Sequence, residues 1–138
     1  MISHVTLGVR DLDRAARFWR AVLPHLGIVE RVVEEDGGPP MLCWHREGQP
    51  IPLLFIATPF DERPATAGNG SMLALIAPSQ AAVDAAHAAG LAHGGSDEGA
   101  PGLRAHYAPD YYGAYLRDPD ANKLHMVYRP GLALAPDQ

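Results

Sequence analysis

The chain has 138 residues, of which 47% are hydrophobic and 20% are charged, with a formal net charge of −5 at pH 7. This length and composition are typical of one globular domain with a core of its own. The acidic balance, without a basic run, argues against a nucleic-acid partner. The single cysteine, Cys43, excludes an intrachain disulfide. No long apolar segment is present, so we expect no membrane partner and a cytoplasmic location.

The first half begins with alternating apolar residues from Ser3 to Val9, a pattern that predicts a strand with one face on a core. Asp11 follows as a candidate helix N-cap, and Gly27 is typical of a helix end. Between them, apolar residues recur at helical spacing: Leu12, Ala15, Ala16, Trp19, Val22, Leu23 and Leu26. Three short strands are predicted after this helix, at 28–34, 40–45 and 52–57.

The same order of elements returns after a shift of 68 residues. Residues 71–77 alternate in the same phase, Ser79 takes the place of Asp11, and a helix of small residues covers 81–91. Gly94 and Gly95 follow, and strands are predicted near 95–99, at 112–117 and at 123–128. The chain therefore divides into module one (1–58), a Pro- and Gly-containing linker (59–70), module two (71–130) and a short tail (131–138).

Several motifs of module two support a family resemblance. They are Pro101-Gly102-Leu103-Arg104, His106-Tyr107, Tyr111-Tyr112-Gly113-Ala114-Tyr115 and Asp118-Pro119-Asp120-Ala121-Asn122. Together with the doubled β-α-β-β-β order, they resemble the vicinal-oxygen-chelate superfamily of glyoxalases, bleomycin-resistance proteins and extradiol dioxygenases. The resemblance implies an α+β fold in which two tandem modules form a curved, partly closed mixed sheet around a cavity, with the helices on its outer face. It also implies a homodimer.

One position departs from the family's pattern, because the turn that normally reads Asp-Pro-Asp-Gly-Asn has Ala121 in place of glycine. If that position needs a positive φ, alanine costs on the order of 1 kcal/mol there.

The resemblance also places candidate metal ligands on the first and last strand of each module. His4 and His125 occupy two of these positions, Met72 a third, and Leu54 or Phe55 the fourth. Strand alternation indicates that His4, Met72 and His125 all face the cavity. Two imidazoles hold a divalent metal weakly, whereas a catalytic site normally has three protein ligands. The expected cofactor is therefore one divalent metal (Zn, Ni, Mn or Fe), or none.

The candidate ligand-binding residues are Trp44, Met72, His106, Tyr107 and Tyr112. Tyrosine suits this role because it joins an apolar ring to a polar tip. Trp44 lies on a middle strand and fits either the pocket or the core.

Three functions remain open. The first is a metal-assisted lyase, isomerase or dioxygenase that acts on vicinal oxygens, with His4 and His125 as ligands. The second is a metal-independent binder of small molecules, like the drug-sequestering branch of the family. The third is a metal-free enzyme with His125 or His106 as general base. Each has a small-molecule partner, and the sequence leaves catalysis itself undecided.

Overall fold

The computed structural model describes residues 1–132, so most of the predicted tail lies outside the described residues. The first half contains β1 (His4–Gly8), α1 (Leu12–Val22), a 3-10 helix (Leu23–Leu26), β2 (Ile28–Arg31), β3 (Met41–Arg46) and β4 (Leu53–Ala57). The second half contains β5 (Leu73–Ile76), α2 (Gln80–Ala92), β6 (Ser96–Leu103), β7 (Tyr112–Arg117), β8 (Lys123–Tyr128) and a 3-10 helix (Pro130–Leu132). None of the helices in these 132 residues is long and apolar enough to cross a membrane.

The eight strands form two four-stranded mixed sheets with the same topology. The strand order is β1-β4-β3-β2 in the first sheet and β5-β8-β7-β6 in the second. β1 pairs with β4, and β5 with β8, in parallel, whereas the remaining neighbours are antiparallel. The predicted α+β fold of two β-α-β-β-β modules is therefore confirmed. Within residues 1–132 no strand of one sheet pairs with a strand of the other, so the two sheets do not join into one.

Both predicted helix caps are confirmed. The Asp11 carboxylate accepts a hydrogen bond from the Arg14 amide at 3.0 Å, and the Ser79 hydroxyl accepts one from the Ala82 amide at 3.0 Å. The first helix changes from α to 3-10 at Leu23, where Pro24 lacks the N–H that the α-helical ladder would use. Gly27 then ends this segment in the left-handed region, with φ of 73°.

The core is continuous between the two halves. α2 packs on β7 and β8, α1 packs on β4, and the two helices pack on each other. The largest fully buried side chains include Phe18, Trp19 and Trp44. Val5, Leu7 and Val9 of the first half and Leu124 and Met126 of the second lie in or against this core. Residues that alternate with them face the opposite way, and we call that side the open face of each sheet.

The Asp-Pro-Asp-Ala-Asn turn joins the two halves. The buried Asp120 carboxylate accepts hydrogen bonds from the Arg10 amide at 2.8 Å and from the Arg14 guanidinium at 2.9 Å. The Asn122 amide donates to the Gly8 carbonyl at 2.9 Å. Ala121 has φ of 67°, which confirms that this turn needs the left-handed region. The turn therefore fixes β8 against the end of β1 and the start of α1.

Candidate functional site

His125 lies on β8 with only 1% of its surface exposed. Its Nδ1 atom is 2.8 Å from the Ala114 carbonyl oxygen, which can only accept, so Nδ1 carries the proton and donates. The Nε2 atom is 2.6 Å from the Tyr111 hydroxyl, which donates to it when the ring is neutral. Both ring nitrogens are thus hydrogen-bonded within the chain.

The surroundings of His125 favour this neutral form. Burial lowers the pKa of His125 below its ordinary value of 6.5, and the positive charges of Arg104 and Lys123 lower it further, against the opposing effect of the Ala114 hydrogen bond. Burial also raises the pKa of Tyr111, so its hydroxyl keeps its proton at neutral pH. The Tyr111 hydroxyl consequently remains the donor and Nε2 the acceptor.

Aromatic rings surround His125 on the open face of the second sheet. Tyr115 is its partner in the register of β7 and β8, and the two rings stack with centroids 4.0 Å apart and planes inclined by 9°. The Tyr111 ring stacks at 5.7 Å and 14°. Tyr107 continues the series at 5.1 Å from Tyr111, and His106 at 4.1 Å from Tyr107. We call these five residues the His125 cluster.

Two glycines make room for the His125 cluster. A Cβ atom at position 113 would lie 2.5 Å from Cε1 of His125 and 3.1 Å from the Met126 carbonyl oxygen. A Cβ atom at position 99 would lie 2.9 Å from the Tyr115 ring. Because Cβ contacts below 3.0 Å essentially never occur in proteins, an alanine at either position would force the neighbouring ring or the strand to shift.

Three cationic side chains border the cluster. The Arg104 guanidinium lies 5.8 Å and the Lys123 ammonium 5.3 Å from the Tyr115 ring centroid, and the Arg129 guanidinium lies 6.0 Å from that of Tyr111. Arg104 is held in place by the carbonyl groups of Ala100 and Gly102, to which it donates at 2.8 and 3.0 Å. The cluster therefore lies in a region of positive charge.

The predicted ligand-binding residues are divided between different places. His106 and Tyr107 belong to the His125 cluster, and Tyr107 is 58% exposed. Tyr112 lies on the opposite face of β7, where its hydroxyl donates to Asp84 of α2 at 2.5 Å. Trp44 is a core residue that also lines an apolar groove of about 290 Å³ beside β5.

Other concave surfaces lie away from the cluster. A cleft of about 880 Å³ is bordered by the end of β1, by residues 37–40 and by residues 58–65. Arg10, Phe60 and Arg63 are among its lining residues, but none of the predicted site residues is.

The doubled module and the turn motif agree with a match of the sequence to a protein-family model. The model of the Glyoxalase/Bleomycin resistance protein/Dioxygenase superfamily matches residues 1–126. The chain belongs to this superfamily. The resemblance inferred from the sequence is therefore confirmed.

Solved structures of the glyoxalase superfamily agree with this assignment. A glyoxalase/bleomycin resistance protein from Albidiferax ferrireducens is 41% identical, with a TM-score of 0.79 over 94% of this chain and 99% of that one. An antibiotic binding protein from a Streptomyces species is 19% identical, with a TM-score of 0.65 over 93% and 94%. A lactoylglutathione lyase from Agrobacterium tumefaciens is 21% identical, with a TM-score of 0.60 over 97% of each chain. No curated protein matches the chain.

Many members of the glyoxalase superfamily use a divalent metal, and the ligands predicted for such a metal in this chain are His4, Met72 and His125. His4 is exposed and contacts Phe55 of β4, on the open face where the family would place another ligand. Met72 is 47% exposed and offers only a thioether, a poor ligand for a hard divalent cation. The Nε2 atom of His125 is already occupied by Tyr111. In the described part of the chain, no three His, Cys, Asp or Glu side chains lie close enough together to hold a metal. The donors therefore do not fit a catalytic metal centre.

Part of this glyoxalase-superfamily site could be predicted from the sequence. The prediction that His125 faces away from Leu124 and Met126 agrees with the strand register. The three bordering cations were missed as site residues. Alternation along β8, continued by one residue, could have placed Lys123 and Arg129 on the face of His125. Arg104 reaches the cluster from the loop before β7, which no periodicity describes.

Proposed function

We propose that this member of the glyoxalase superfamily is a small-molecule-binding protein that holds its ligand at the His125 cluster without a metal. The observation that carries the proposal is the hydrogen bonding of His125, in which Ala114 and Tyr111 satisfy both ring nitrogens. A buried polar group that is already paired needs no cation to complete it. This favours the drug-sequestering alternative over a metal-assisted reaction.

The exposed rim of the cluster is suited to ligand binding. Tyr107 exposes 58% of its surface, and His106, whose ring lies 4.1 Å from that of Tyr107, is also exposed. Aromatic rings with polar edges bind small amphipathic molecules, since they offer contact area and hydrogen bonds together. The antibiotic binding protein with a similar fold is consistent with such a role.

A ligand-detected NMR screen on protein stripped of metal with a chelator tests the proposal. We expect hits whose affinity falls about tenfold in Tyr107→Ala, since aromatic anchors contribute about 1–2 kcal/mol to binding. The matched control is Phe60→Ala, which removes an exposed ring from the separate 880 Å³ cleft. Loss of binding in Phe60→Ala alone, or the absence of any hit, would contradict the proposal.

A metal-assisted lyase, isomerase or dioxygenase acting on vicinal oxygens is the second candidate. One observation favours it: the Nδ1 proton of His125 is fixed by a backbone carbonyl, which is the arrangement that orients many metal-bound histidines. Titration with Zn²⁺, Mn²⁺, Ni²⁺ and Fe²⁺ tests this candidate. One equivalent of metal, lost in both His4→Ala and His125→Ala, would replace the first proposal with the second.

We also propose that the protein is a homodimer. The family resemblance supports this, and so do four free sheet edges, because β1, β2, β5 and β6 each pair with only one neighbour among residues 1–132. Light scattering coupled to size-exclusion chromatography tests it. A mass near twice 14.8 kDa is expected, and a monomer at micromolar concentration would contradict the proposal.

A further inference from the structure

Three cations gather around the His125 cluster. Arg104 lies in the loop before β7, Lys123 is the first residue of β8, and Arg129 directly follows the last residue of β8. Within residues 1–132 none of the three forms a salt bridge, whereas Arg14, Arg20 and Arg117 each pair with a carboxylate. Such a gathering is unexpected in a chain with a net charge of −5, because acidic partners are available elsewhere on its surface.

The charges that act on the cluster are predominantly positive. Arg104 and Lys123 both lower the pKa of His125, and no acidic side chain is among the groups that shift it. All three cations are half-buried, so their charges are less screened than those of fully exposed side chains. Arg104 is also held by two carbonyl groups, which reduces the entropy lost when it binds a ligand.

We propose that the ligand of this site is an organic anion, which is attracted by the positive charges of Arg104, Lys123 and Arg129 while its body lies against the exposed rings. This inference rests on the proposed binding function and adds the charge class of the ligand. Guanidinium and ammonium groups pair strongly with carboxylates, and the tyrosine rings supply the apolar contact that a small organic acid needs.

Benzoate and benzamide form a matched pair of probes, since both are flat and similar in size but only benzoate is charged. Their affinities for the full chain are measured by NMR titration at low and high NaCl, following the signals of His125 and Tyr107. We expect benzoate to bind about three- to tenfold more tightly than benzamide at low salt, and the difference to shrink at high salt. We expect Lys123→Met and Arg129→Met each to weaken benzoate about threefold and to leave benzamide unchanged.

The control is Arg17→Met, which removes the same charge from the exposed surface of α1 and should leave both affinities unaltered. If either site variant fails to fold, the salt dependence of benzoate and benzamide binding to the unmodified chain still tests whether the ligand is recognised by its charge. Equal binding of the two probes at both salt concentrations overturns the anion inference but leaves the proposed binding function standing. Failure of both probes and of the wider ligand screen overturns both.

Discussion

The Tyr111 hydroxyl donates a 2.6 Å hydrogen bond to Nε2 of His125, the atom that a metal would otherwise occupy. Tyr111 belongs to the segment between β6 and β7, so a loop residue forms the hydrogen bond to the Nε2 atom of a histidine on β8. The same ring stacks on the imidazole at 5.7 Å. This one side chain therefore contacts both the face of the imidazole and the ring nitrogen that a metal would need.

Replacement of Tyr111 with Phe should leave the Nε2 atom buried without a donor. We expect the free energy of unfolding to fall by about 1–2 kcal/mol, the usual cost of an unpaired buried polar group. The pKa of His125 should rise, because the lost hydrogen bond stabilised the neutral ring. Urea unfolding and NMR titration of the His125 ring measure both effects. Tyr128→Phe is the control, since no hydrogen bond of its hydroxyl is found among residues 1–132; equal effects of the two substitutions would argue against the assigned bond.

Stability should depend on pH through His125. Its pKa is lowered in the folded chain, so between that value and the ordinary 6.5 the unfolded chain binds one proton more. The contribution of neutral His125 to the free energy of unfolding is complete above about pH 6.5 and is lost as the pH falls toward the pKa of the folded chain. In His125→Gln this contribution disappears, so the free energy of unfolding of the variant should fall less between pH 7.5 and pH 5 than that of the unmodified protein. Urea midpoints of both proteins across this range provide the measurement, and parallel pH profiles would show that His125 is not buried as a neutral ring.

Gly113→Ala should disturb the cluster from the sheet side. The new methyl group would lie 2.5 Å from His125 Cε1, so the ring or the strand must shift, at a cost of about 1–3 kcal/mol. Ligand affinity should fall with stability, because the stack of Tyr115 on His125 is displaced. Gly131→Ala is the matched control, as no atom of residues 1–132, apart from its chain neighbours, lies within 4 Å of its new methyl group. Undiminished stability and binding in Gly113→Ala would mean that His125 lies elsewhere.

Ala121→Gly should stabilise the protein. Ala121 has φ of 67°, a conformation that glycine adopts without strain, and relief of that strain is expected to add about 1 kcal/mol to the free energy of unfolding. Ala88→Gly on the exposed surface of α2 should have the opposite sign, about 1 kcal/mol of loss, because glycine weakens helix interiors. Thermal unfolding distinguishes them, and destabilisation by both would contradict the account of the turn.

The fold could be predicted from the sequence where local chemistry determines it. Asp11 and Ser79 cap their helices as expected, and the strand alternation places His4 and His125 on open faces. Element ends were less accurate when they depended on a partner strand. The predicted strand at 28–34 ends at Arg31, since β3 offers no pairing beyond Cys43 and Val32 is 90% exposed.

The site was harder to predict because it depends on contacts between distant segments. Tyr107 and His106 were identified from their residue types, but the hydrogen bond of Tyr111 depends on how the loop folds back over β8. The sequence did not distinguish between a pocket and a core position for Trp44. In the structure Trp44 lies in the core and also lines the apolar groove. Tyr112 differs from its neighbour Tyr111 in role because the two side chains lie on opposite sides of the sheet.

The most direct test of the central claim compares ligand affinity in metal-stripped protein with that in protein loaded with Zn²⁺, Mn²⁺, Ni²⁺ or Fe²⁺. The compound used is the tightest hit of the NMR screen, and calorimetry gives both affinities. Our account predicts equal affinity with and without metal, and an affinity about tenfold lower in Tyr107→Ala. Binding that requires one equivalent of metal, and that disappears in His4→Ala as well as in His125→Ala, would contradict it.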